Sequence, residues 1–149
     1  MKKISIYSDG ACLSNPGPGG YCAILKYKET EKVVSGGAAH TTNNRMELLA
    51  AIAGLEAIND TNCEVELYTD SKYVADGITK GWARNWRARG WIKSDRTPAL
   101  NPELWERLLT AIERLGGRVG FVWIKGHNGH PYNERCDQIA RNHAVKHKL

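Results

Sequence analysis

Four carboxylic acids stand late in strands or within helices that would flank a sheet. Asp9 comes late in an alternating apolar stretch, Glu47 early in an apolar-periodic run, Asp70 at the end of VELYTD, and Asp137 inside YNERCDQIARNHAVKH. Three of them have ordinary structural readings. Asp70 can cap the helix that follows it, Glu47 stands three residues after Asn44 at capping-box spacing, and Asp137 can pair with Arg141 at i, i+4. Asp9 resists such a reading, because an acid on the face of an interior strand is costly unless something neutralises it. If the first and fourth strands lie side by side, Asp9 and Asp70 meet near one spot. Glu47 is flanked by Ala50, Ala51 and Gly54, small residues that let its helix approach a sheet. Carboxylates that converge without local lysines need a cation, and hard oxygen donors suit Mg²⁺ or Mn²⁺. Two such ions roughly 3.5–4 Å apart can activate a water and stabilise the departing oxygen of a phosphodiester.

The elements that must position these acids follow from periodicity. Ile4, Ile6 and Ser8 alternate with Ser5, Tyr7 and Asp9 as in a strand; LSNPGPGG then supplies a loop, and YCAILKY resumes as a second strand. KVVSGGAAH is a weaker third strand that closes an antiparallel meander. NNRMELLAAIAGLEAI carries Leu48, Ala51, Ile52, Leu55 and Ile58 at helical spacing, with Asn44 as its N-cap. VELYTD is a fourth strand and SKYVADGI a short helix. Asn101 and Pro102 open the helix ELWERLLTAIERL, which Gly116 and Gly117 close. RVGFVWI is a fifth strand, KGHNGHP a loop, and Pro131 enters the last helix. This order predicts an α/β fold with a mixed sheet of about five strands and helices on its faces, in which chemistry collects where strands end.

The 149 residues suffice for one domain, 1–149, with a real core. Of 21 Lys and Arg against 16 Asp and Glu, the segment KGWARNWRARGWIKSDR (80–96) holds six against one, so the rest of the chain is balanced and the excess cation is local. A basic patch on a neutral body suggests a polyanionic partner. MKKISIYSDG holds only a short alternating apolar stretch before Asp9, and Cys12, Cys22, Cys63 and Cys136 lack CxxC spacing; no export and reduced thiols in a cytoplasm are the expectation. NPGPGG is not a P-loop, since it lacks the GK[ST] ending and leads into a strand.

At YSDGACLSNPGPGG, TTNNRMELLAA, YTDSKYV, the Trp-rich basic segment and WIKGHNGHPYNERCDQIA, the chain resembles the type 1 ribonuclease H family, almost end to end. The resemblance implies a ribonuclease H-like fold with a basic helical protrusion, or handle, at about 80–99. It implies Mg²⁺-dependent (or Mn²⁺-dependent) endonucleolytic cleavage of the RNA strand of an RNA–DNA hybrid by a cytoplasmic monomer, with one or two ions per site and 3′-hydroxyl and 5′-phosphate ends. Metal binding falls on Asp9, Glu47, Asp70 and Asp137, and the catalytic-loop histidine on His127, which can carry a proton to the leaving oxygen. His127, His130 and Cys136 also admit a reading as a zinc site, with only three ligands at irregular spacing.

The same resemblance gives the loop from Cys12 to Asn15, with Asn43 and Asn44, to the minor groove, where 2′-hydroxyls identify RNA. Thr42 falls in the pocket for a DNA-strand phosphate. Turn and cap chemistry is the competing reading for all of these. In the handle, Trp82 and Trp86 share a helix face, where at least one packs against the body, leaving Arg84, Arg87, Arg89 and Lys93 to point outward to phosphates. Lys72 stands where many relatives carry glutamine, so a phosphate contact there is as natural as a base contact. An extra residue near Gly81 shifts the handle's register. Two rivals stand beside the nuclease: a non-catalytic hybrid or duplex binder that has kept the handle, and an exonucleolytic or strand-transferring relative on the same fold.

Overall fold

Strong alternation makes the first strand, β1 (Lys2–Cys12), central: Ile6 and Ser8 are buried on one face, while Tyr7 and Asp9 turn to the other. It lies in a computed structural model that describes residues 1–126 and 130–148. β2 (Gly17–Tyr27) and β3 (Thr30–Thr41) complete an antiparallel meander; β4 (Cys63–Thr69) and β5 (Val119–Trp123) extend the sheet in parallel on the far side of β1. The spatial order is β3-β2-β1-β4-β5, a five-stranded mixed sheet as expected.

Helix α1 (Asn43–Glu56) packs against β1 and β2. Its approach is close because the helix presents small residues: a Cβ added at Gly54 would stand 2.9 Å from the Ile6 side chain. Behind α1 lies α4 (Pro102–Arg114). Together they cover the larger core, in which Leu48, Ile52, Leu55, Trp105, Leu108 and Leu109 are fully buried. On the opposite face α5 (Pro131–Lys146) seals a smaller core around Cys22, Ile24, Cys136 and Ala140.

Three local expectations are corrected. The cap of α1 is Thr42, whose Oγ1 accepts a hydrogen bond from Arg45 N at 3.2 Å, so Asn44 is already inside the helix and Glu47 is not the partner of a capping box. Ser71, not Asp70, caps α2 (Lys72–Thr79), accepting from Val74 N at 3.2 Å. Both sites offer cap-forming residues within two positions of one another, and packing chose between them. The handle is only partly helical. α3 (Trp82–Ala88) is followed by a hairpin-like turn in which Ile92 bridges Pro98 and Ala99 N donates to Trp91 O at 2.9 Å. Gly81, at φ 75°, breaks α2 from α3 in the left-handed region that glycine enters without strain.

Candidate active site

Register places the first two acids. β1 and β4 run in parallel with Ser8 opposite Thr69, so Asp9 and Asp70 follow at the same level, at the C-terminal ends of adjacent strands. Glu47 comes from α1 and is fixed by Gly10, whose N–H donates to its Oε1 at 2.8 Å. That bond requires a bare backbone: a Cβ on Gly10 would stand 2.5 Å from Glu47 N. The result is that one oxygen each from Asp9, Glu47 and Asp70 lies within 4.8 Å of the others. Asp137, on α5, lines the same cavity of about 230 Å³, as do Asn43 and Arg141. A larger hollow of 560 Å³ lies at the other end of the molecule, lined by Lys2, Lys3 and Asp60, without a convergent set of acids.

The electrostatics of this cluster are unfavourable on their own. Asp9 is 2 % exposed, and burial, followed by the charges of Glu47 and Asp70, pushes its carboxyl from 3.8 up to about 10. Glu47, 6 % exposed, is raised well above its ordinary value, first by burial and then by Asp70; the Gly10 N–H opposes that rise. Carboxyls that hinder one another's ionisation, with oxygens close enough to share a ligand, fit a small hard divalent cation, whose charge removes the conflict. Asp137 joins with a foot outside: Arg141 Nε lies 2.8 Å from its Oδ2, so the i, i+4 pairing and the place beside the acids hold together.

The zinc reading is not carried by the geometry. Cys136 is fully buried and its thiol donates to Tyr7 O at 3.1 Å, while the His130 ring lies against Tyr7 and Tyr68. Among the described residues, the group able to share a metal is the acid triad. His127 lies outside the described residues.

Of the residues expected to meet a polynucleotide, Cys12 and Asn43 line the same cavity as the acids. Cys12 is half-buried, its thiol 2.8 Å from Ser14 O, and Asn15 Oδ1 accepts from Asn43 N at 3.2 Å, tying the β1–β2 loop to the start of α1. Asn43 and Asn44 are exposed; Thr42 spends its hydroxyl on the helix cap. Lys72 is exposed, its ammonium 5.6 Å from the centre of the Trp123 ring. In the handle the two tryptophans divide: Trp86 meets the buried Trp105 edge-on at 6.0 Å, whereas Trp82 is 40 % exposed with Lys80 over its ring. Arg84, Arg89 and Lys93 are exposed. Arg87 corrects the expectation that it points outward. Its guanidinium lies 2.6 Å from Glu113 and 3.6 Å from Glu106, pinning α3 to α4. Sequence reasoning missed Gly10 as the donor that orients Glu47. It also read Arg141 only as a surface partner, because cavity lining has no signature in spacing.

Acids on adjacent central strands, a third delivered by α1 and a fourth from α5 on the opposite face make an α/β protein with a candidate divalent-cation site at its strand ends. Comparison with known proteins takes this to a family: residues 1–145 match the RNase H family. The chain is 57 % identical over 140 residues to a ribonuclease H of Desulforamulus reducens, covering 94 % of this chain and 86 % of that protein. It is 56 % identical to one of Serratia proteamaculans, covering 97 % and 90 %. Among solved structures it is similar to LC9-RNase H1, a type 1 RNase H with the type 2 active-site motif, at 31 % identity and a TM-score of 0.85, covering 99 % of this chain and 74 % of that one. LC11-RNase H1 in complex with an RNA/DNA hybrid shares the fold at 24 % identity and a TM-score of 0.65, covering 96 % and 97 %. The chain belongs to the RNase H family, on its type 1 branch.

Proposed function

We propose that this protein is an endoribonuclease that hydrolyses the RNA strand of RNA–DNA hybrids in a divalent-metal-dependent reaction, leaving 3′-hydroxyl and 5′-phosphate ends. The observation that carries the reading is the convergence of Asp9, Glu47 and Asp70 oxygens within 4.8 Å, in a chain matched by the RNase H family over residues 1–145. The LC11 relative in complex with an RNA/DNA hybrid supports the choice of substrate.

In this reading Asp9, Glu47, Asp70 and Asp137 hold one or two Mg²⁺ ions, with Mn²⁺ as a substitute. When bound, such ions supply a nucleophilic water at neutral pH and charge to meet the departing oxygen. The chain's own residues do the rest. Gly10 N–H holds the Glu47 carboxylate in one orientation, so that no reorganisation is needed as the substrate arrives. Cys12, Asn15, Asn43 and Asn44 line the approach with groups able to meet 2′-hydroxyls, and amide side chains both donate and accept as that contact demands. Thr42 faces a DNA-strand phosphate. Lys72, Trp82, Arg84, Arg89 and Lys93 extend the grip along the backbone, and His127 carries a proton to the leaving oxygen. Trp86 and Arg87 hold the handle to the body. The chain acts as one domain and as a monomer of the cytoplasm, in keeping with its scattered cysteines. No helix among the described residues is long and apolar enough to cross a membrane.

The test is an end-labelled cleavage assay with Mg²⁺ on an RNA–DNA hybrid, double-stranded RNA and double-stranded DNA of one sequence. Internal cuts in the hybrid's RNA strand with 3′-hydroxyl ends are expected, with the other two duplexes intact. Sustained binding without cleavage would establish a binder instead, and loss of single nucleotides from DNA ends an exonuclease.

A further inference from the structure

Arg141 is the one cation among the described residues that line the acid cavity, and it is not buried there. Its side chain is 64 % exposed, while that of Asp137, 2.8 Å away, is 23 % exposed. A guanidinium reaching back one helical turn to a partly exposed carboxylate makes a weak contact, because both groups remain available to water. The same carboxylate belongs to the set proposed to receive a divalent cation, and a cation there competes with the arginine for its negative charge. Beside Arg141 in the cavity wall stand Cys12 and Asn43, residues proposed to follow the polynucleotide. A planar guanidinium on a flexible stem, released at that position, is shaped to grip a phosphate with two parallel hydrogen bonds.

We infer that Arg141 has two positions: paired with Asp137 when the acid cluster is bare, and turned to a backbone phosphate of the bound nucleic acid when Asp137 is engaged by a divalent cation. The inference rests on the proposed hybrid-binding function. It makes Arg141 a substrate-binding residue whose availability is coupled to cation loading. The coupling prevents a free cation-binding site and a free phosphate-binding side chain from cancelling one another, since each partner is released only when its replacement is present.

Fluorescence anisotropy of a labelled RNA–DNA hybrid measures this, in two arms: with chelator, and with Ca²⁺, over the interval in which a gel shows the hybrid intact. With Ca²⁺, Arg141→Ala is expected to raise Kd about three- to tenfold and to lower the slope of log K against log salt by about one, the signature of one lost phosphate contact. With chelator the same substitution changes Kd less than twofold. Arg141→Lys restores the salt slope in the Ca²⁺ arm, which separates loss of charge from disturbance of α5. Equal effects in the two arms, whether zero or a full loss, overturn the two-position arrangement, as does a larger loss with chelator. A wild-type protein that neither binds nor cuts the hybrid refutes the proposed function itself, an outcome distinct from all of these.

Discussion

Asp9 is held in the fold in a state that water would not give it. In the unfolded chain its carboxyl ionises above about pH 4; in the folded, metal-free protein burial and its acidic neighbours keep it protonated up to about 10. The folded state then retains a proton that the unfolded chain has released, so stability falls as pH rises between those values. Glu47 acts in the same direction. With chelator present, the melting temperature of the wild type should decline from pH 5 to pH 9, followed by circular dichroism. Asp9→Asn should flatten that decline and melt at least about 3 °C higher at pH 8, while abolishing turnover and leaving hybrid binding largely intact. A mutant that cuts at the wild-type rate would remove Asp9 from the mechanism. That Asp9 and Asp70 would meet was legible in the sequence only on the condition that the first and fourth strands pair, which the register of β1 and β4 fulfils. Which neighbour takes a cap was not, because Thr42 or Asn44, and Asp70 or Ser71, offer the helix equivalent side-chain oxygens and differ only in where tertiary packing sets the first turn.

At the scale of elements, the site depends on how close α1 comes to β1. Gly10→Ala places a methyl 2.5 Å from Glu47 N, and the helix must move back to accept it. A stability loss of about 2 kcal/mol in urea unfolding is expected, with a fall in kcat larger than that loss explains, because Glu47 moves with its helix. Turnover equal to wild type would mean that the Gly10–Glu47 bond does not orient the carboxylate. The handle gives the complementary case. Trp86→Ala removes the ring that packs on Trp105 and should cost about 2 kcal/mol. Trp82→Ala should stay within about 0.5 kcal/mol of wild type in the same melt, and weaken hybrid binding instead. The two tryptophans sit four residues apart and read alike in sequence. Only the position of α4 decides that one is packing and the other surface.

Across the whole molecule, a balanced body carries one cationic extension, residues 80–96, where the excess positive charge is concentrated. With five phosphates neutralised, hybrid affinity should fall roughly 10²–10³-fold between 50 and 200 mM salt. Changing Arg84, Arg89 and Lys93 together to Ala should raise KM and flatten the salt slope by about three; an unchanged slope would mean that the handle does not touch the substrate. Arg87 is left out of that set because its charge is spent on Glu113 and Glu106. The sequence by itself determined the strand and helix order, the concentration of positive charge and the identity of the acids, since periodicity, composition and residue chemistry are local properties of the chain. The tertiary structure alone decided that Asp9, Glu47 and Asp70 share one ligand-sized space, that Arg87 pairs with Glu113 and Glu106 of α4 and that Arg141 lines the cavity. Those facts depend on the register between strands and on which helix packs behind which, and the distances involved are set by residues far apart along the chain.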